Sequence, residues 1–158
     1  MIKHTFVFVL ILCMLPAFVL AQEPADDFKH SKVNFHFTFL GGVQKEAKEE
    51  HDDFFFLYFY EPGTAGHALM DSLYFGGEEL STYIENNYGA LAMSTAKPQT
   101  VAMADIAMDY HEGPYPDYPF IALYREEIFK AWVVPPFESP LELIEHMDSF
   151  KKKTLAAE

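Results

Sequence analysis

Two short segments hold the side chains whose types and spacing could do chemistry. The first is Gly63-Thr64-Ala65-Gly66-His67, which follows a long apolar run and opens a predicted helix. Thr64 at that place serves as an N-cap, its oxygen satisfying a free amide of the first turn. A helix start with open N–H groups and a positive dipole end also suits an anion or a peptide carboxylate. His67 would add a titratable donor there. The segment makes a poor metal centre, because one histidine supplies one ligand and no Cys, Asp or His stands beside it at ligand spacing. The second segment is Asp117-Tyr118-Pro119-Phe120, at the end of a proline-rich loop that also contains Tyr115.

Elsewhere the chemistry is sparse. His30, His36, His51, His111 and His146 are scattered, and His36 is expected to face solvent from a strand. No H-x-x-x-H or H-E-x-x-H pair, G-x-S-x-G turn or P-loop occurs. The acidic runs Glu49–Asp53 and Glu78-Glu79 do not match a calcium loop and read as solvated faces. The chain has a single cysteine, Cys13. Thiol exchange needs an attacking thiolate and a second thiol to resolve the mixed disulfide. A threonine hydroxyl and an imidazole can play neither part.

The elements that must position these groups follow from hydrophobic patterning. Lys3 and His4 precede the apolar run Phe6–Leu20, which closes on Val19-Leu20-Ala21 ahead of polar Gln22. A basic start, a short apolar middle and a small-residue end predict a secretory signal peptide over 1–21. At roughly fifteen residues the run is short for a membrane span. Residues 22–31 read as a flexible lead-in, a domain is expected over 32–153, and 154–158 reads as a tail. About 137 of the 158 residues remain after cleavage, enough for one core.

Lys32–Leu40 alternates Val33, Phe35, Phe37 and Phe39 against polar neighbours, the period of a strand with one buried face. Val43–Glu50 is a solvated helix rich in Lys, Glu and Ala. Asp53–Tyr60, DFFFLYFY, lacks alternation and reads as a central strand covered on both faces. A helix is expected over 65–75 with Leu69, Met70 and Leu73 on one side. Another is expected over 78–88 with Leu80, Tyr83 and Ile84 inward and Gly89 as its C-cap. Ala90–Ser94 is a short strand. Pro98 and Thr100 open a helix with Val101, Ala104 and Met108 on one face, with a strand over TVAMADIAM as the alternative. Phe120–Tyr124 and Phe129–Val134 form a hairpin around Glu126-Glu127. Ser139, Pro140 and Glu142 mark a capped helix start, with Leu141, Ile144, Met147 and Phe150 as its apolar stripe. Lys151–Lys153 complement its C-terminal dipole.

This order predicts one α/β domain with a central mixed sheet of 4-5 strands flanked by helices. It resembles the thioredoxin-like superfamily, and within it an exported domain. The strand FFFLYFYEP resembles the one that enters the redox loop, and Gly63–Met70 (GTAGHALM) aligns with W-C-x-x-C-K-x-M. Asp117–Phe120 is similar to the turn before the next strand, and the closing hairpin and helix complete the match. The resemblance implies a cis peptide at Pro119 and places the two motif cysteines on Thr64 and His67, so it implies a redox-inactive member. It further implies a groove for extended peptide between Thr64, Ala65, Gly66, His67 and the loop Tyr118, Pro119, Phe120; Tyr115, Tyr118 and Phe120 either rim that groove or pack the core and cover the loop.

The 24 acidic residues against 11 basic ones give a net charge of −13, which argues against nucleic acid and anionic membrane surfaces. The first functional expectation is a non-enzymatic binding module for a peptide or protein partner, secreted or periplasmic, with no cofactor, no metal and no membrane span after signal cleavage. An acidic cation-binding or structural scaffold is the alternative. A non-redox enzyme using His67 is the third.

Overall fold

The computed structural model describes residues 27–38, 42–109, 117–125, 128–133 and 137–157. Segment 1–21, expected as a signal peptide, Tyr115 and the turn expected at Glu126-Glu127 lie outside them. The elements are α1 (Gly42–Glu50), β1 (Phe55–Tyr60), α2 (Ala65–Leu69, continuing as a π-helical turn Met70–Tyr74), α3 (Glu78–Asn87), β2 (Gly89–Ser94), α4 (Pro98–Asp109), β3 (Phe120–Arg125), β4 (Ile128–Val133) and α5 (Pro140–Leu155). The four strands form one sheet in the order β2-β1-β3-β4. β1 runs parallel to β2 and antiparallel to β3, and β4 returns antiparallel to β3.

The unbroken apolar run of β1 is explained by its place. All six of its residues are buried. Phe56, Tyr58 and Tyr60 pack with Met70, Tyr74, Leu80, Ile84, Leu143 and Met147 of α2, α3 and α5. Phe55, Leu57 and Phe59 pack with Val43 and Ala47 of α1 and Ala104, Ala107 and Met108 of α4. A strand with helices on both faces has no polar side to show. Gly89 opens β2 and does not cap α3. A Cβ there would lie 2.9 Å from Ala47 Cβ and 3.0 Å from the Val43 carbonyl, so its small size lets α1 close on the sheet.

The expected strand over 32–40 is reduced, within its described residues, to one parallel bridge between His36 and Leu91. Val33 and Phe35 are buried as the alternation requires. The main-chain donors, however, go elsewhere: Lys32 donates to the Phe75 carbonyl and Asn34 to the Glu85 carboxylate. With those donors claimed by helices, His36 alone pairs with the sheet, donating to the Ala90 carbonyl and accepting from the Ala92 amide, each at 2.9 Å.

The buried side of α2 also differs from expectation. Leu69 and Leu73 are exposed, and the inward stripe is His67, Met70, Asp71 and Tyr74. Two polar residues occupy apolar positions because each finds partners there. In α4 the inward residues are Thr100, Ala104, Ala107 and Met108, while Val101 faces out. α5 is capped as read: Ser139 Oγ accepts from the Glu142 amide at 3.2 Å. The Glu142 carboxylate accepts from the Glu138 amide at 2.7 Å, one residue before the cap. Leu141 is exposed, and Leu143 and Met147 take the buried positions. The helix runs on to Leu155 with Thr154 buried, past the boundary expected at 153.

Candidate functional site

The loop after β1 brings α2 to its starting point. Gly63 turns the chain at φ 77°, a left-handed conformation that favours glycine. Thr64 is the N-cap as read: its Oγ1 accepts from the His67 amide at 3.3 Å and donates to the Glu61 carbonyl at 2.9 Å. Two residues into the helix, Gly66 meets the loop before β3. A Cβ on Gly66 would stand 2.6 Å from Pro119 Cδ, so only a glycine permits this approach. The Tyr118–Pro119 peptide is cis. The two segments singled out from the sequence are thus in contact, through Gly66 and Pro119.

Of the three aromatics, Phe120 and Tyr118 are described and Tyr115 lies outside the described residues. Phe120 belongs to the core, its ring stacked on Phe59 at 4.6 Å between centroids. Pro119 is buried and Tyr118 half-buried. Burial, then the charges of Asp105 and Glu61, push the Tyr118 hydroxyl above its ordinary value. Among the described residues, none hydrogen-bonds the Tyr118 main chain.

His67 faces the other way. It is 4% exposed, packed 4.4 Å from the Tyr60 ring and 5.0 Å from the Phe28 ring. Its Nε2 lies 3.0 Å from the Asp27 carbonyl, which can only accept, so Nε2 carries the proton. In the neutral ring Nδ1 is then the acceptor, and the Tyr58 hydroxyl donates to it at 3.0 Å. Burial, with smaller contributions from Tyr60 and Asp71, holds the Tyr58 hydroxyl well above the ordinary tyrosine range and keeps it a donor. With both nitrogens engaged, His67 has none free to take a proton from a substrate.

Asp71, one turn further, is 3% exposed. Its Oδ2 accepts from the Lys29 and His30 amides, each at 3.0 Å, and its Oδ1 from the Ser31 amide at 2.9 Å. Tyr60 donates to the Asp27 carboxylate at 3.2 Å. The described part of the expected flexible lead-in, Asp27–Ser31, is therefore pinned to α2 and β1. A cavity of about 390 Å³ lies beside this junction, lined by Asp27, Lys29, His30, Thr64, His67 and Asp71 among others. Asp71 was invisible as a site residue in the sequence. The usable signal was its position four residues after His67, on the same face of a helix that turns inward.

His36, expected in solvent, is half-buried and hydrogen-bonded to Glu46 Oε2 at 2.7 Å. Glu46 Oε1 lies 3.8 Å from Nε2 of buried His51. This cluster sits by α1, apart from the start of α2. Among the described residues no group of three or more His, Cys, Asp or Glu side chains is placed to hold a metal ion, and no helix is long and apolar enough to cross a membrane.

The sheet order, the helix opening after the central strand and the cis-proline before β3 together define the architecture. The fold is thioredoxin-like. Among solved structures, a chain in the crystal structure of the ferredoxin:thioredoxin reductase and thioredoxin f2 complex is similar, with a TM-score of 0.42 and 9% identity. The likeness covers 66% of this chain and 84% of that one. No protein-family model matches the chain, and no curated protein matches it in sequence. With one cysteine in the whole chain, a CxxC pair is impossible.

Proposed function

We propose that this chain is a redox-inactive thioredoxin-like binding module that holds an extended peptide or a protein partner by contact, in an exported compartment. The observation that carries the reading is the seating of Gly66 on Pro119 beside a Tyr118 main chain that has no hydrogen-bond partner among the described residues. An extended peptide laid along Tyr118 would add main-chain hydrogen bonds there, in the manner of strand addition. Thr64 is spent on capping, so the helix start contributes shape and a surface through exposed Ala65. Export rests on the leader-like segment 1–21, and the acidic net charge suits a partner that is not a nucleic acid.

The test is partner capture by full-length protein carrying Tyr118→Ala or Ala65→Gln, each checked for folding by circular dichroism. Glutamine keeps the helix propensity of that first turn while filling the space above it. Loss of capture in both folded variants supports the reading. Undiminished capture by both removes the groove from consideration.

A further inference from the structure

We propose that the cavity side of α2 is a second peptide-binding site, and that residues Asp27–Ser31 are its tethered, releasable occupant. The groups presented by the fold there are complementary to a peptide main chain. His67 Nε2–H donates to one carbonyl, that of Asp27, and the Asp71 carboxylate accepts from three consecutive amides, those of residues 29, 30 and 31. Between that carbonyl and those amides the Phe28 ring enters an aromatic enclosure. Its centroid lies 5.1 Å from Phe35, 5.8 Å from Phe37, 5.2 Å from Tyr60 and 5.0 Å from His67. An acceptor, an aromatic anchor and three successive donors make a recognition pattern that other peptides can carry.

The occupant is held locally. Residues 27–31 join no strand of the sheet, the side chains of Lys29 and His30 are exposed, and Phe28 is only half-buried. β1, by contrast, is buried throughout and paired on both edges. Segments with few buried contacts open at lower free energy than the core. Opening takes the Asp27 carboxylate from the Tyr60 hydroxyl but leaves His67 and Asp71 facing a cavity. The adjoining cavity of about 390 Å³ has room for waters that replace the amides on Asp71 and the carbonyl on His67.

The site is separate from the Pro119 groove, so the two proposals fail independently. In the full-length protein, amide hydrogen exchange at residues 29–31 is expected to be at least about tenfold faster than at Phe55–Tyr60 and nearly insensitive to low denaturant. Exchange of both segments at one rate, with one denaturant dependence, would overturn release. The full-length Phe28→Ala variant, which loses the tethered anchor, tests recognition. The synthetic peptide Asp-Asp-Phe-Lys-His-Ser-Lys should shift the His67 ring resonance of this variant in a saturable titration, and the same peptide with Phe replaced by Ala should not. No shift with the phenylalanine peptide, or equal shifts with both, would overturn the site. If Phe28→Ala does not fold, Asp71→Asn takes its place for release: its amides 29–31 should exchange at least about tenfold faster than wild type while β1 protection is retained. Unchanged exchange there counts against the proposal.

Discussion

The two flanks of α2 are closed in opposite ways. On one, Gly66 rests on the Pro119 ring with no space for a methyl group. On the other, His67 and Asp71 reach main-chain groups about forty residues upstream through hydrogen bonds, with a cavity alongside. A steric contact between small apolar groups admits neither a larger side chain nor water, so it fixes the helix start against β3. A polar contact can exchange its partner for water or for another peptide at modest net cost. The difference assigns geometry to the first flank and exchangeable contact to the second.

The largest expected effect is alkaline unfolding. Burial raises the hydroxyls of Tyr58, Tyr60 and Tyr88 well above the ordinary tyrosine value, with Asp27 adding to the shift at Tyr60. The folded state keeps these groups neutral while the unfolded chain releases their protons near pH 10. The stability they contribute is therefore complete below about pH 10 and is lost as the pH climbs toward their folded values. Tyrosinate absorbance from these residues should appear together with loss of circular dichroism. Smooth ionisation in a folded protein would break the view that Tyr58 and Tyr60 are sealed in the core beneath α2.

His67→Ala comes next, with an expected loss of about 2–4 kcal/mol in urea denaturation. It empties space under Phe28 and leaves the Tyr58 hydroxyl without its acceptor. On the opposite flank, Gly66→Ala should cost roughly 1–3 kcal/mol through overpacking against Pro119. An ordinary helix position would gain about 1 kcal/mol from the same change, so the sign alone decides. Tyr58→Phe is smaller, about 1–2 kcal/mol, because it orphans only His67 Nδ1. Ser139→Ala, far from both flanks, should cost about 1 kcal/mol through the lost cap and leave 29–31 exchange unchanged.

What was legible beforehand was mostly local. The β1 run, the Ser139 cap with Pro140 behind it and the Thr64 cap are written in adjacent residues, and each stands where the pattern placed it. The inward face of α2 was misread because hydrophobicity is a poor guide to a buried His and Asp. Their burial is permitted by partners that spacing along the helix does not reveal. The same holds for 32–38, whose alternation is right for burial but whose Lys32 and Asn34 amides answer to α2 and α3. For Phe120 the sequence leaves rim and core open, because strand patterning does not say which face of the sheet a helix covers, and the structure places it in the core.

By itself the sequence determined that no pair of cysteines exists, since a count of one needs no geometry. It also determined the order of elements from Gly42 onward, since periodicity and caps act within a few residues. The tertiary structure alone decided that His67 is enclosed, that Asp71 binds residues 29–31, and that Gly66 must stay a glycine. Those outcomes depend on contacts between parts of the chain separated by forty residues or more, where chain folding, and no local rule, chooses the neighbour.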